Sequence, residues 1–146
     1  MGYTQEAIDI LKKNGYKITK PRQIILKVLD ESELPLSPYE ISDHIKKMGE
    51  TGDVVGVYRS LEILEESGIV HKVLSNGKYL KCNLKLHSED QKDSHCHHNL
   101  ICKKCGTLKE VDCVGLELFE RILKSEYSFD VEHHALEFYG LCSSCK

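Results

Sequence analysis

Two Cys-x-x-Cys pairs, Cys102/Cys105 and Cys142/Cys145, are separated by 36 residues. Each such turn presents both sulfurs to one side, so the two pairs can close one tetrahedral four-thiolate zinc site. Two disulfides or a redox dithiol are the alternatives for these residue types. A redox motif normally uses a single Cys-x-x-Cys at a strand-to-helix junction, whereas here a second pair completes a coordination sphere. The first pair ends the stretch SHCHHNLICKKCG, residues 94–106, which holds three histidines and three cysteines in thirteen positions. His95, Cys96, His97 and His98 form a strand-like run within it, so His95 and His97 face one way and Cys96 and His98 the other. His71, Cys82, Glu110, Glu117, His133 and His134 add metal-ligating types elsewhere, and this density points to at least one further metal site.

Composition bounds the rest. The chain has 146 residues and a formal net charge of −3, enough for one ordinary domain or two small ones. Residues 1–81 carry 12 Lys and Arg against 12 Asp and Glu, and residues 82–146 carry 8 against 11. Any nucleic-acid contact therefore depends on local placement of charge and not on bulk attraction. Seven cysteines without a secretory leader pattern are expected in a reducing cytoplasm, where cysteines ligate metals. No apolar run approaches the roughly 18 residues of a membrane span, and no membrane partner is expected.

These residues need elements to position them. Four helical patterns are expected first: Thr4–Gly15 with Thr4 as N-cap, one opening at Pro21 with Ile24, Ile25, Val28 and Leu29 inward, one capped by Ser37 with Pro38 and Glu40, and one after Asp53 burying Val57, Leu61 and Leu64. Short β-rich runs Ile69–Leu74 and Lys78–Cys82 follow, joined through Asn76-Gly77, a strong hairpin cue. Helices followed by a small hairpin describe a winged helix-turn-helix, whose last helix enters the major groove. Tyr58 and Arg59 lie on that helix away from Leu61 and Leu64. Arg can grip guanine or a phosphate, and Tyr can meet a thymine methyl. Lys17, Lys20 and Arg22 add positive charge nearby.

After a polar linker, the second half is expected to hold strands His97–Cys102 and Thr107–Val111, a helix Leu116–Leu123 burying Leu116, Phe119, Ile122 and Leu123, and a final strand Phe129–Tyr139 that delivers the second knuckle. The fold class is α+β: an N-terminal winged helix-turn-helix over 1–83, a linker over 84–96 and a small α/β domain over 97–146 tied by the four-cysteine zinc site. So short a unit depends on its metal for stability.

Five segments resemble the ferric uptake regulator superfamily, in that family's order: GYKITKPRQIIL (15–26), VYRSL (57–61), SGIV (67–70), HNLICKKCG (98–106) and GLCSSC (140–145). The resemblance implies a cytoplasmic, homodimeric metal-responsive repressor that binds a double-stranded DNA operator and is not an enzyme. It makes Lys17 a minor-groove or phosphate contact and the C-terminal domain a dimerisation domain. The chain looks most like the zinc uptake regulator branch, which implies regulatory zinc held by His71, Cys82, Glu110 and either His95 or His97. Thiolate, imidazole and carboxylate together suit zinc better than ferrous iron. An accessory third metal maps onto Cys96 or His98 with Glu117 and His134. Asn99 stands where the family commonly has His, and Gly56 stands where relatives have Thr. An iron- or peroxide-sensing regulator of the same superfamily is the alternative, with a zinc-dependent enzyme behind it.

Overall fold

A computed structural model describes residues 2–82, 97–112, 115–132 and 134–146. The chain divides into two compact units, Met1–His87 and Ser88–Lys146.

The first unit runs α1 (Tyr3–Lys13), α2 (Lys20–Glu31), α3 (Pro38–Lys47), α4 (Val54–Glu66), β1 (Val70–Lys72) and β2 (Tyr79–Lys81). Local chemistry sets the helix starts. The Thr19 side chain accepts from the Arg22 amide, and Ser37 and Glu40 close a reciprocal capping box on α3. Two starts differ from the sequence expectation. Gly2 caps α1, while the Thr4 hydroxyl turns to Asp30 (3.3 Å), and Pro21 is the second helical residue, not the first.

The inward faces of the four helices supply Leu11, Ile25, Leu26, Leu29, Ile41, Ile45, Leu61 and Leu64, all essentially excluded from solvent. Burying each such side chain contributes about 2 kcal/mol. The hairpin is short: β1 and β2 are antiparallel with three facing pairs, His71 opposite Leu80. Gly77 turns it at φ +68°, and the Asn76 side chain accepts from the Lys78 amide (2.9 Å). Leu36, from the α2–α3 link, exchanges two 2.8 Å backbone hydrogen bonds with Tyr79 and so flanks β2 on its other edge. Lys81 Nζ donates to both the backbone and the carboxylate of Asp30 (2.9 and 2.8 Å). Tyr3 ties α1 to the start of the hairpin through Ile69 O (2.8 Å).

The second unit holds β3 (His97–Cys102), β4 (Leu108–Asp112), α5 (Leu116–Tyr127) and β5 (Glu137–Gly140). The sheet order is β4-β3-β5, with β3 antiparallel to β4 and parallel to β5. The expected Phe129–Tyr139 strand is only four residues long. Helix α5 continues to Tyr127 and ends on Ser128 in the left-handed region (φ 53°), and Asp130 pairs with Lys124 (2.8 Å), so the chain turns away after the helix and strand pairing begins only at Glu137. A second difference concerns α5, which buries none of its residues: Leu118, Phe119 (56 % exposed) and Ile122 face solvent. The amphipathic stripe exists, but the described residues leave it uncovered.

Candidate metal centres and nucleic-acid face

Because β3 and β5 are parallel, with Cys102 in register with Gly140, both strands end at the same edge. Each then makes a tight knuckle. Gly106 N–H returns to Cys102 O (2.9 Å), Cys145 N–H returns to Cys142 O (3.0 Å), and Lys103 N–H bonds Gly140 O (2.9 Å) to lock one knuckle against the other. The four Sγ atoms of Cys102, Cys105, Cys142 and Cys145 lie within 4.8 Å of one another. Cys105 and Cys142 sulfurs are 3.8 Å apart, far beyond a disulfide's roughly 2.05 Å. Backbone N–H groups of Cys105, Cys142 and Lys104 aimed at Cys102 lower its thiol to about 6. The neighbouring sulfurs, Cys142 first, push the Cys145 thiol up to about 12. One thiolate is welcome here and a fourth is resisted, which is the donor set a divalent cation would resolve.

The hairpin brings a second pair together. His71 on β1 and Cys82, directly after β2, place a ring nitrogen and Sγ within 4.8 Å of each other. Cys82 is buried, and its amide bonds Ile69 O (2.9 Å). Glu110 lies on β4 opposite Asn99 on β3. Since the Asn99 amide donates to Leu136 on the other side of β3, this is the closer, non-hydrogen-bonded type of pair. Asn99 is 6 % exposed, and its side-chain oxygen meets no donor among the described residues. His97 opens β3, while His95 and Cys96 lie outside the described residues, as do Cys113 and His133.

A third grouping joins β3 to α5. His98, 4 % exposed, packs its ring 5.3 Å from that of His134. His134 lies in the loop before β5, not on the strand. Its Nδ1 sits 2.7 Å from Glu120 Oε1, whereas Glu117, one turn earlier, is exposed. Both glutamates share a face of the helix, so their spacing did not tell them apart.

On α4, Val57, Ser60, Leu61 and Leu64 are buried and Tyr58 and Arg59 are exposed. Tyr39, on the first turn of α3, was not singled out by sequence. It is 64 % exposed and meets the Tyr58 ring edge to face. An aromatic beside Pro38 gives no sign of its own that it will reach a neighbouring helix. Lys17 is exposed in the α1–α2 turn, where Arg22 donates to its carbonyl and lies 5.9 Å over the Tyr16 ring.

The profile of the ferric uptake regulator family matches residues 13–139. The zinc uptake regulation protein of Escherichia coli (strain K12) is 30 % identical over 140 residues, covering 96 % of this chain and 79 % of that protein. The ferric uptake regulation protein of Bacillus subtilis (strain 168) is also 30 % identical, over 146 residues, with 97 % and 95 % covered. A solved structure of a zinc uptake regulator complexed with zinc and DNA superposes with a TM-score of 0.83 at 28 % identity, covering 97 % of this chain and 91 % of that one. Four helices and a short hairpin followed by a small sheet are thus a fold shared with a solved relative, and the chain belongs to the ferric uptake regulator family.

Proposed function

We propose that the chain is a metal-responsive transcriptional repressor that senses zinc, controls metal-uptake genes and binds a palindromic operator as a dimer. The carrying observation is the hairpin pair His71–Cys82, an imidazole and a buried thiol held within 4.8 Å of each other. A thiolate–imidazole pair selects a borderline-soft cation such as Zn²⁺ over a hard one. Glu110 and His95 or His97 would complete the sphere. Two ligands then come from the hairpin and two from the second unit, so metal binds a closed arrangement better than an open one, which is what a population shift requires. When bound, this zinc supplies the cross-link. Tyr58 and Arg59 address the major groove, Tyr39 steadies Tyr58, and Lys17 holds the backbone. Residues 1–83 are assigned to DNA, and residues 97–146 to dimerisation and metal.

Dimerisation has physical support in the uncovered Leu118, Phe119 and Ile122 stripe of α5. The four-cysteine site is assigned a structural zinc that holds the second unit, separate from the regulatory ion. A third metal is assigned to His98 and His134 with Cys96 and a carboxylate of α5. No described helix is long and apolar enough to cross a membrane, and a DNA-binding role places the protein in the cytoplasm.

The test is operator binding by fluorescence anisotropy at buffered free Zn²⁺, Fe²⁺ and Mn²⁺. Affinity is expected to rise with zinc at the lowest free-metal concentration of the three. A rise with Fe²⁺ alone would replace the zinc reading with the iron-sensing one, and no rise with any metal would overturn metal-dependent repression.

A further inference from the structure

Helix α4 carries an apolar side chain where its amphipathic pattern calls for a polar one. At about 3.6 residues per turn, Val57, Leu61 and Leu64 define the inward stripe, and Val55 lies opposite its midline. Val55 is 58 % exposed and contributes nothing to the core. A β-branched residue on a solvent-facing helical position also lowers helix propensity, so neither packing nor local preference accounts for it. Its neighbours on that outward face are Tyr58 one turn on and Arg59 beside it.

The charges of this face are graded along the helix. Past the N-cap Asp53, the first turn has no acidic residue, Arg59 follows, and only then come the exposed Glu62 and Glu66. A helix so charged can approach a polyanion by its N-terminal half only, because its C-terminal half would repel phosphates. The N-terminal residues of a groove-bound helix are those that reach base edges. Gly56, next to Val55, has no side chain of its own, and the Asp53 carboxylate lies over it, 2.6 Å from where a Cβ would stand. The apolar feature of a base edge in the major groove is the thymine 5-methyl group, and valine matches it.

Resting on the reading that α4 enters DNA, we infer that Val55 is a specificity-determining residue that recognises a thymine methyl group in each operator half-site. Burying one methyl against Val55 corresponds to about a fourfold preference over the unmethylated base. Tyr58 is the competing reader, and the test separates the two.

The probe is a duplex enriched by the zinc-loaded, full-length protein from a random-sequence pool. Each thymine of a half-site is then replaced singly by deoxyuridine, which removes the 5-methyl group and keeps every base pair. The expected result is one thymine whose replacement weakens the parent protein about fourfold. In Val55→Ala that penalty should disappear, while the penalty for replacing a guanine read by Arg59 persists. Val55→Ala touches no core contact, and an unchanged melting temperature checks that it is folded. A methyl penalty that survives in Val55→Ala but vanishes in Tyr58→Ala overturns the assignment, as does the lack of any thymine with a penalty. Failure to enrich any duplex sinks the DNA-binding reading and this assignment together. Enrichment with an unchanged penalty sinks this assignment alone.

Discussion

The rings of Tyr39 and Tyr58 meet edge to face, with centroids 6.5 Å apart and planes at 86°, so the start of α3 braces the outward side of α4. Such a pair is worth about 1 kcal/mol beyond its buried area. Tyr39→Ala is expected to weaken operator binding about fivefold while leaving the melting temperature within ~2 °C, since Tyr39 is exposed. Anisotropy at saturating zinc measures this, and unchanged affinity would mean that the brace is idle.

Arg59 and Lys17 should fail in different ways. Arg59→Ala is expected to cost about 1–3 kcal/mol and to relax preference at one base pair. Lys17→Ala should weaken all sequences alike and reduce the salt slope of log K by about one. Binding isotherms at four salt concentrations distinguish the two, and matching salt slopes for both variants would contradict the division of roles.

The knuckle thiols give the metal-free second unit a particular pH profile. Cys102 is lowered to about 6 by the N–H groups around it, so between pH 6 and an unfolded value of about 8.5 only the unfolded state holds this proton. Stability therefore rises with pH through that window and is lost on acidification through 6. Cys145 is pushed up to about 12, so above 8.5 the sign reverses and stability falls. Chemical denaturation of chelated, reduced protein should show a maximum near pH 8.5, and a flat profile would refute it. Zinc uptake at pH 7.5 should release protons, that of Cys145 among them.

Cys82→Ser and Cys142→Ser separate the two metal roles. The first should abolish the zinc-dependent rise in DNA affinity and keep one tightly held zinc per chain. The second should lose that zinc and lower the melting temperature of the second unit. Metal analysis after desalting, read beside circular dichroism, decides it. Retention of the full zinc response in Cys82→Ser would remove the hairpin from the sensor site.

Phe119→Glu with Ile122→Glu places two charges on the uncovered stripe of α5. Sedimentation is expected to shift from dimer to monomer, with intact secondary structure because neither residue is buried. A persistent dimer would move the interface elsewhere.

What could be read from sequence follows the range of the interactions involved. The α3 start was legible because Ser37, Pro38 and Glu40 act within three residues of one another. The first unit's core was legible because Val57, Leu61 and Leu64 keep helical period and find partners in the same chain. On α5 the same kind of period revealed a stripe without revealing what covers it. The end of α5 was misplaced because Phe129 and Val131 alternate with polar residues as in a strand, whereas Ser128 and the Lys124–Asp130 pair turn the chain away. Glu117 and Glu120 were equivalent on paper, since only tertiary packing decides which of them meets His134. The four-cysteine set was the most legible part of all, because two short-range turns define it and the parallel β3–β5 pairing only has to align them.

The double hold of Asp30 on Lys81 has a mechanical consequence for the residue that follows it. Cys82 is fixed from before by this clamp and from across the hairpin by its own amide on Ile69. It therefore behaves as an anchor point rather than a tether. In the proposed sensor site a cation held by its sulfur would meet an anchored ligand, and the motion of capture would fall on the other ligands. The adjustment on binding would then fall away from the helices assigned to DNA.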